Sequence, residues 1–411
     1  MTPPLTTSDL PADRSLRVGI IAPPWLPVPP PAYGGTETVL DVLARALQRA
    51  GHRVVLYTTG DSTCPVPRSW SFARALGIGR GGAADEALHV VEAYEELRGV
   101  DVVHDHTLVG PLYALGMGDR AVVTTNHGPF DHVLTPLYRA VGDRIPVIAI
   151  SHQQASTADG VHIGAVIHHG LDVERVPVGT GDGGYAAFVG RMHPDKGVDV
   201  AISVARQAGM PLKIAAKMRE PAERRYFEEQ IEPLLGGGVE FVGEVGGAAK
   251  FALMGQATCL LNPVRWHEPF GMVMIEALAC GTPVVATARG AAPEIVEPGR
   301  TGYLASDTVG LVRALGRVGS LERRACRAEV EARFSAARMA AAHVALYRTA
   351  LEATEARRAG VPVPAGVPGS TTWRIPVAAG RARDGAPDAA GTWADGYRGT
   401  GSGPRPHSPA A

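Results

Sequence analysis

Short apolar runs alternate along this chain with stretches whose apolar residues recur at helical spacing. The run at 17–22 (RVGIIA) reads as a buried strand. After a Pro-rich loop, Val39, Leu40, Leu43, Ala46 and Leu47 line one helical face, so a helix is expected over 36–50, with Thr36 as N-cap and Gly51 as stop. A strand at 53–57 completes a βαβ unit. Further β-rich runs follow at 100–103, 121–125, 147–150 and 163–167.

A second series begins near Tyr185, with strands expected at 186–189, 212–216, 239–242, 258–261, 284–286 and 302–304. Between them the spacing predicts helices over 197–208, 221–235, 248–256 and 271–280, and 307–357 is helical and rich in Ala and Arg. Strands alternating with helices imply mostly parallel sheets covered on both faces. The fold class is therefore α/β, two doubly wound Rossmann-like domains facing a cleft, where ligands of such sheets bind. The expected boundaries are a disordered N-terminus over 1–15, an acceptor-binding domain over 16–170, a linker over 171–184, a donor domain over 185–335, a C-terminal helix over 336–358 and a disordered tail over 359–411. The tail is Pro, Gly, Ala and Arg with little periodicity, too poor in apolar residues to offset the entropy of ordering.

Composition narrows the partners. Lys plus Arg number 40 and Asp plus Glu 41, a balance that argues against nucleic acid as a partner. Four cysteines (Cys64, Cys259, Cys280, Cys326) stand far apart without a CxxC pair, which fits a reducing cytoplasm. The first fifteen residues lack the apolar stretch of a signal peptide, and no run of 18 apolar residues occurs. Arg68, Trp70, Phe72 and Arg74 in the loop 64–82 are candidates for peripheral contact with an anionic membrane, or for a partly buried loop.

Four constellations carry candidate chemistry. Glu268 and Glu276 lie eight residues apart around Pro269-Phe270-Gly271-Met272-Val273, with a helix expected from Gly271. That spacing spans at most about 12 Å, and the free amides of Gly271, Met272 and Val273 would offer an anion- or hydroxyl-binding terminus. Two carboxylates on an amphipathic helix surface would look similar in isolation. Arg191 and Lys196 flank a turn after a strand, where a guanidinium fork and a point charge suit a diphosphate, or are ordinary surface cations. Tyr33-Gly34-Gly35-Thr36-Glu37 places glycines before a helix start. His104-Asp105-His106 and Asn126-His127-Gly128 sit at expected strand ends; a zinc site and a polar strand end without a role are the competing readings. The literal GxGxxG at 77–82 lacks a preceding strand and is taken as a loop. There is no GxxxxGK[ST], GxSxG or DxD, which removes support for ATPase, hydrolase and metal-dependent transferase readings.

Together these segments, with Val242-Gly243-Glu244-Val245 and 167–172 (IHHGLD), resemble retaining glycosyltransferases of family 4, which have the GT-B fold; the resemblance runs over about 16–350. It implies catalytic roles for His127, Arg191, Lys196 and Glu268. It implies donor binding by Gly35, Arg191, Lys196, Val242, Gly243, Glu268, Phe270, Gly271, Met272, Val273 and Glu276. Arg191 and Lys196 would hold the diphosphate, Glu276 the ribose, Glu268 the sugar, and Val242 and Gly243 would border the base. The acceptor would lie near His104, Asp105 and His106. No metal and no cofactor are implied beyond a nucleotide sugar as co-substrate. The expected reaction moves a hexose from that donor to a lipid, saccharide or small metabolite. A sugar-nucleotide epimerase of the same fold and a non-catalytic sugar-nucleotide-binding protein are the alternatives. Two departures from the family pattern stand out: Ile214-Ala215-Ala216-Lys217 where a glycine-rich turn is usual, and His168-His169-Gly170 where an asparagine usually precedes the glycine.

Overall fold

The computed structural model describes residues 14–79, 81–118 and 120–360. Most of the expected disordered tail, and the first thirteen residues, lie outside the described residues. The N-terminal domain contains β1 (Arg17–Ile21), α1 (Gly35–Arg49), β2 (Arg53–Thr58), β3 (Arg68–Trp70), α2 (Ala83–Glu96), β4 (Val102–Asp105), α3 (Gly110–Ala114), β5 (Ala121–Thr125), α4 (Leu134–Gly142), β6 (Val147–Ala149), α5 (His152–Ser156) and β7 (Ile163–Val166). Its strands form one parallel sheet in the order β3-β2-β1-β4-β5-β6-β7. Successive side chains of a strand face opposite sides. Val18 and Ile20 of β1 accordingly enter the core with α1, while Ile21 enters the core with α2.

The C-terminal domain contains β8 (Ala186–Arg191), α6 (Val198–Ala208), β9 (Leu212–Lys217), α7 (Pro221–Tyr226), β10 (Val239–Gly243), α8 (Gly247–Gln256), β11 (Cys259–Asn262), α9 (Met272–Ala279), β12 (Val284–Thr287), α10 (Ala292–Ile295), β13 (Gly302–Ala305), α11 (Thr308–Val318) and α12 (Arg323–Arg333). Its parallel sheet runs β10-β9-β8-β11-β12-β13. Both sheets reverse order beside their first strand, at β1/β4 and β8/β11, the positions where doubly wound sheets open a crevice.

Several elements differ from the sequence expectation. Helix α1 starts at Gly35 with Gly34 as N-cap, not at Thr36. The helix expected over 221–235 breaks after Tyr226 into a π-turn (Phe227–Ile231) and a 3₁₀ turn (Glu232–Leu234), where Pro233 removes a backbone donor. The loop 64–82 contributes edge strand β3.

Helix α13 (Ala336–Arg358), the last among the described residues, leaves the C-terminal domain and returns to the first. Its Ala336, Met339, Ala340, Leu346, Tyr347 and Ala350 complete the core formed by Leu40, Leu43 and Leu47 of α1. The domains also meet through polar contacts. Tyr33 N–H donates to Glu244 Oε1 at 3.2 Å, Arg49 pairs with Asp172 at 3.1 Å, and Glu294 of α10 accepts from the N–H groups of His152 and Gln153 at 2.9 and 2.7 Å. Met272, at the start of α9, packs against the cores of both domains.

Candidate active site

The turn after β8 packs directly on the end of β11. At Gly197 (φ +72) a Cβ would stand 2.1 Å from the carbonyl oxygen of Pro263, so only glycine fits. This contact sets Lys196 beside the loop that follows β11. Lys196 Nζ is ion-paired with Glu268 and lies 5.0 Å from the ring centre of Trp266, whose Nε1–H donates to the same carboxylate at 3.1 Å. The two expected residues meet, and Trp266 joins them.

Arg191, at the end of β8, has its Nε 3.9 Å from Glu223 Oε1. Glu223 also accepts from Lys217 Nζ at 3.1 Å, and Lys217 pairs with Glu220. Burial and a hydrogen bond shared with Glu220 push the Glu223 carboxyl up. Lys217 is 5% exposed, so this third cation is not a solvated surface charge. Three cations, Arg191, Lys196 and Lys217, thus stand at neighbouring ends of β8 and β9, each beside a carboxylate.

Helix α9 begins at Met272 from an N-cap at Gly271 whose φ of +98 favours glycine. Its first-turn amides lack intrahelical acceptors, as at any helix start. Glu276, one turn further, is 5% exposed and takes Lys250 Nζ of α8 at 2.6 Å. Gly243 ends β10 at φ +81 beside Val242, and the sheet register shifts there. The Phe270 side chain is 2% exposed and packs edge-on to His169 and Phe334. Only its backbone remains for a ligand.

Across the cleft, a Cβ on Gly35 would meet nothing within 4 Å, which leaves room for close approach. Burial raises the nearby Glu37 carboxyl to about 7, against a smaller opposing effect of its own backbone amide. The expected histidines form a buried ladder. His343 of α13 lies 5.1 Å from His104, His104 3.9 Å from His106, His106 5.1 Å from His127, and His127 5.3 Å from His169, ring centre to ring centre. His169 in turn meets Phe270 of the C-terminal domain at 5.1 Å. His106 Nδ1 and His127 Nε2 are hydrogen-bonded at 2.8 Å. Burial, with His343 as a like-charged neighbour, lowers His127 to about 3, so its ring is neutral near pH 7.

The structure places His104 and Asp105, the residues expected near the acceptor, at the C-terminal end of β4. Both are fully buried. His104 bonds Tyr347 and Thr125 at 2.8 Å each. Asp105 accepts from Tyr94 Oη–H at 2.9 Å and from Thr107. Their polar atoms are consumed by the fold. His106 Nε2, by contrast, has no hydrogen-bond partner in the fold, and neither has Asn126 Nδ2 at the end of β5 or Asn262 Nδ2 at the end of β11. Buried polar atoms are normally satisfied. Orphaned donors and acceptors at the strand ends of both domains are therefore what a polar ligand in the cleft would complete.

Trp266, Glu223 and Lys250 are not singled out by the sequence, whereas Lys217 is, as a third cation near the phosphates or a solvated charge. Trp266 stands two residues before Glu268, and Lys217 marks the departure from the glycine-rich turn, so both had a local signal; Glu223 and Lys250 are ordinary helix charges in sequence. The expected membrane-contact residues divide: Trp70 is half exposed, but Phe72 stacks on His89, and Arg68 shares its surface with Glu92, Glu95 and Glu96, which an anionic bilayer would repel. Among the described residues no helix is long and apolar enough to cross a membrane.

Comparison with known proteins gives the same placement. Residues 33–175 match the profile described as Glycosyltransferase Family 4, and 184–320 that of Glycosyl transferases group 1. A phosphatidyl-myo-inositol mannosyltransferase of Mycobacterium leprae is 27% identical over 334 residues, covering 73% of this chain and 86% of that one. Sucrose-phosphate synthase from Thermosynechococcus elongatus superposes with a TM-score of 0.67 at 21% identity, over 82% of this chain and 98% of that one. Anabaena HepE, solved in complex with UDP-glucose, does so with a TM-score of 0.65 at 19% identity, over 81% and 100%. With a profile match on each domain, the cleft between two switch points and relatives across most of its length, this chain belongs to the family 4 glycosyltransferases and is an enzyme of the GT-B fold.

Proposed function

We propose that this enzyme transfers a hexose from a nucleoside-diphosphate sugar to a hydroxyl acceptor, with retention of anomeric configuration and without a metal in the reaction. The observation that carries this reading is the set of cations at the ends of β8 and β9, beside the Glu268 loop and the start of α9. Arg191 and Lys196 take the diphosphate and stabilise the charge that develops as it leaves, a role preorganised donors fill in a water-poor cleft. Glu268, held by Trp266 Nε1–H, exchanges Lys196 for sugar hydroxyls when donor binds. Glu276 takes the ribose hydroxyls, and Val242 and Gly243 border the base.

In the step itself the bond from C1 to the β-phosphate oxygen breaks, and a bond from C1 to the acceptor oxygen forms on the same face. The acceptor proton passes to the departing phosphate. Neutral His127 acts as a hydrogen-bond partner of the sugar, not as a cation. The mannosyltransferase name of the relatives and the UDP-glucose in HepE favour a hexose donor, and they favour transfer over epimerisation. The relatives' phosphatidyl-myo-inositol points to an inositol-bearing or other polyol acceptor. The four buried, free cysteines fit a cytoplasmic setting.

Thermal-shift titration with UDP, GDP, ADP, TDP and their hexose conjugates in EDTA tests the reading. One nucleotide series should raise the melting temperature, and NMR of the product made from the matching donor should show the donor's anomeric configuration. A flat panel, or inverted product, would reject it.

A further inference from the structure

A second constellation stands at the junction of the domains. His152 opens α5, His168 follows β7, and Glu294 lies on α10 of the other domain. One ligand-type atom from each lies within 4.8 Å of the other two. His168 Nε2 and Glu294 Oε2 are 2.7 Å apart. We propose that His152, His168 and Glu294 bind a divalent transition-metal ion of the zinc class that bridges the two domains.

Four features of the structure support this. Two imidazoles and one carboxylate are a donor set suited to zinc, cobalt or nickel, not to magnesium or calcium, which prefer all-oxygen sites. The edge of a zinc tetrahedron, about 3.4 Å for bonds of about 2.05 Å, falls between the 2.7 Å of the His168–Glu294 pair and the 4.8 Å that bounds the three donor atoms, so side-chain rotations can bring them to one ion. The carboxylate is already oriented: His152 N–H donates to Oε2 at 2.9 Å and Gln153 N–H to Oε1 at 2.7 Å, the kind of outer support that fixes a metal-binding carboxylate. Finally, the three side chains line a surface cavity of about 370 Å³, shared with Pro293, Glu297 and Arg333, which gives an entry path and room for water as the fourth ligand. The ion displaces the proton between His168 Nε2 and Glu294. The charges around it are balanced, with Arg333 donating to the Glu294 carbonyl at 2.7 Å and Glu297 paired with Arg300.

The ion takes no part in the chemistry, but its ligands adjoin the site. His168 is followed by His169 of the ladder and lies 5.7 Å from Phe270. Three residues before Glu294, Ala291 N–H donates to the carbonyl of Glu268 at 3.0 Å. A metal here fixes the hinge side of the cleft and steadies the Glu268 loop.

The test uses the full, untagged chain, stripped of metal and titrated with CoCl₂ and then ZnCl₂. One Co²⁺ per chain should bind, with the visible d–d absorption of a four-coordinate site, and ZnCl₂ should bleach it and raise the melting temperature. His152→Ala removes one ligand at an exposed position while keeping its backbone hydrogen bond; His168→Gln removes a second. Each should weaken cobalt binding by at least about tenfold and remove the zinc-dependent rise in melting temperature. No stoichiometric cobalt binding, or equal binding by both variants, would overturn the proposal and leave a hydrogen-bonded strap between domains. Nucleotide-dependent thermal shifts in EDTA are independent of this result, so the donor-site reading and the metal site fail separately.

Discussion

Lys196 is held at once by an ion pair to Glu268 and by the face of Trp266, in a pocket of low exposure. Its charge is thus stored beside the carboxylate that is expected to meet the sugar. Lys196→Ala should lower kcat/KM for the nucleotide sugar by about 10²–10³-fold, the scale of losing one preorganised donor to a developing charge. The melting curve should remain near that of the parent, and near-normal turnover would remove Lys196 from the site. The histidine ladder yields a second expectation at this scale. His89 and His343 are lowered to about 4 and His127 to about 3, by burial first, and His104, His106 and His169 are lowered as well. Each is neutral in the fold and binds its proton only on unfolding. The stability they contribute is complete above pH 6.5 and is lost as pH falls from there toward 4, by up to about 1.4 kcal/mol per pH unit for each. Glu37 and Asp105, raised to about 7 and about 6, and Glu86 and Glu223, raised as well, act in the opposite sense, but four carboxyls do not offset six imidazoles. Urea unfolding at pH 7, 6 and 5 should show a steep decline; a flat profile would mean the ladder admits protons while folded.

The elements most legible in the sequence are the buried strands. Residues 121–125 were expected as a strand and β5 is Ala121–Thr125, because a run of Val and Thr buried on both faces has no competing pattern. The short helices α3, α4 and α5 carry too few turns to announce a period, and β3 is an edge strand of three residues containing Arg and Trp. The break after Tyr226 was hidden because Phe227 and Ile231 keep a helical spacing through the π-turn. The Arg191, Lys196 and Glu268 cluster was readable since each residue flanks a turn at a strand end, whereas Glu223 meets Arg191 only through tertiary packing. The turn after β8 gives the prediction at this scale. Gly197→Ala combines a left-handed φ with a 2.1 Å approach to Pro263, so it should destabilise by about 1–3 kcal/mol or more and shift Lys196. Equilibrium unfolding measures the first effect, and the KM for donor the second. Unchanged values for both would show that the β8 and β11 ends separate freely.

In the whole molecule, two sheets that share the order of their first six strands, the N-terminal one with a seventh, face one cleft and are tied by Tyr33–Glu244, Arg49–Asp172 and the Glu294 strap. These ties join residues as much as 211 positions apart, which no local pattern can announce. The destination of α13 was equally silent: four of its nine buried residues are alanine, and small residues look alike whether they meet solvent or another helix. A chain ending at residue 335 would leave Leu40, Leu43 and Leu47 uncovered and His104 without Tyr347. Such a truncation should aggregate or bind hydrophobic dyes, while a chain ending at residue 360 should melt like the full protein. Equal behaviour of the two chains would show that α13 is dispensable to the first domain.

The return of α13 also fixes an order of events. During synthesis the first domain emerges with its sheet complete but one wall of its core missing, and that wall is the last helix among the described residues. At about 5–20 residues per second the uncovered leucines of α1 must wait roughly 10–40 s while the whole C-terminal domain is translated. The domain that begins first therefore finishes second. A graft that exchanges C-terminal domains between such enzymes must leave α13 with the N-terminal half, to which it belongs in space though not in sequence.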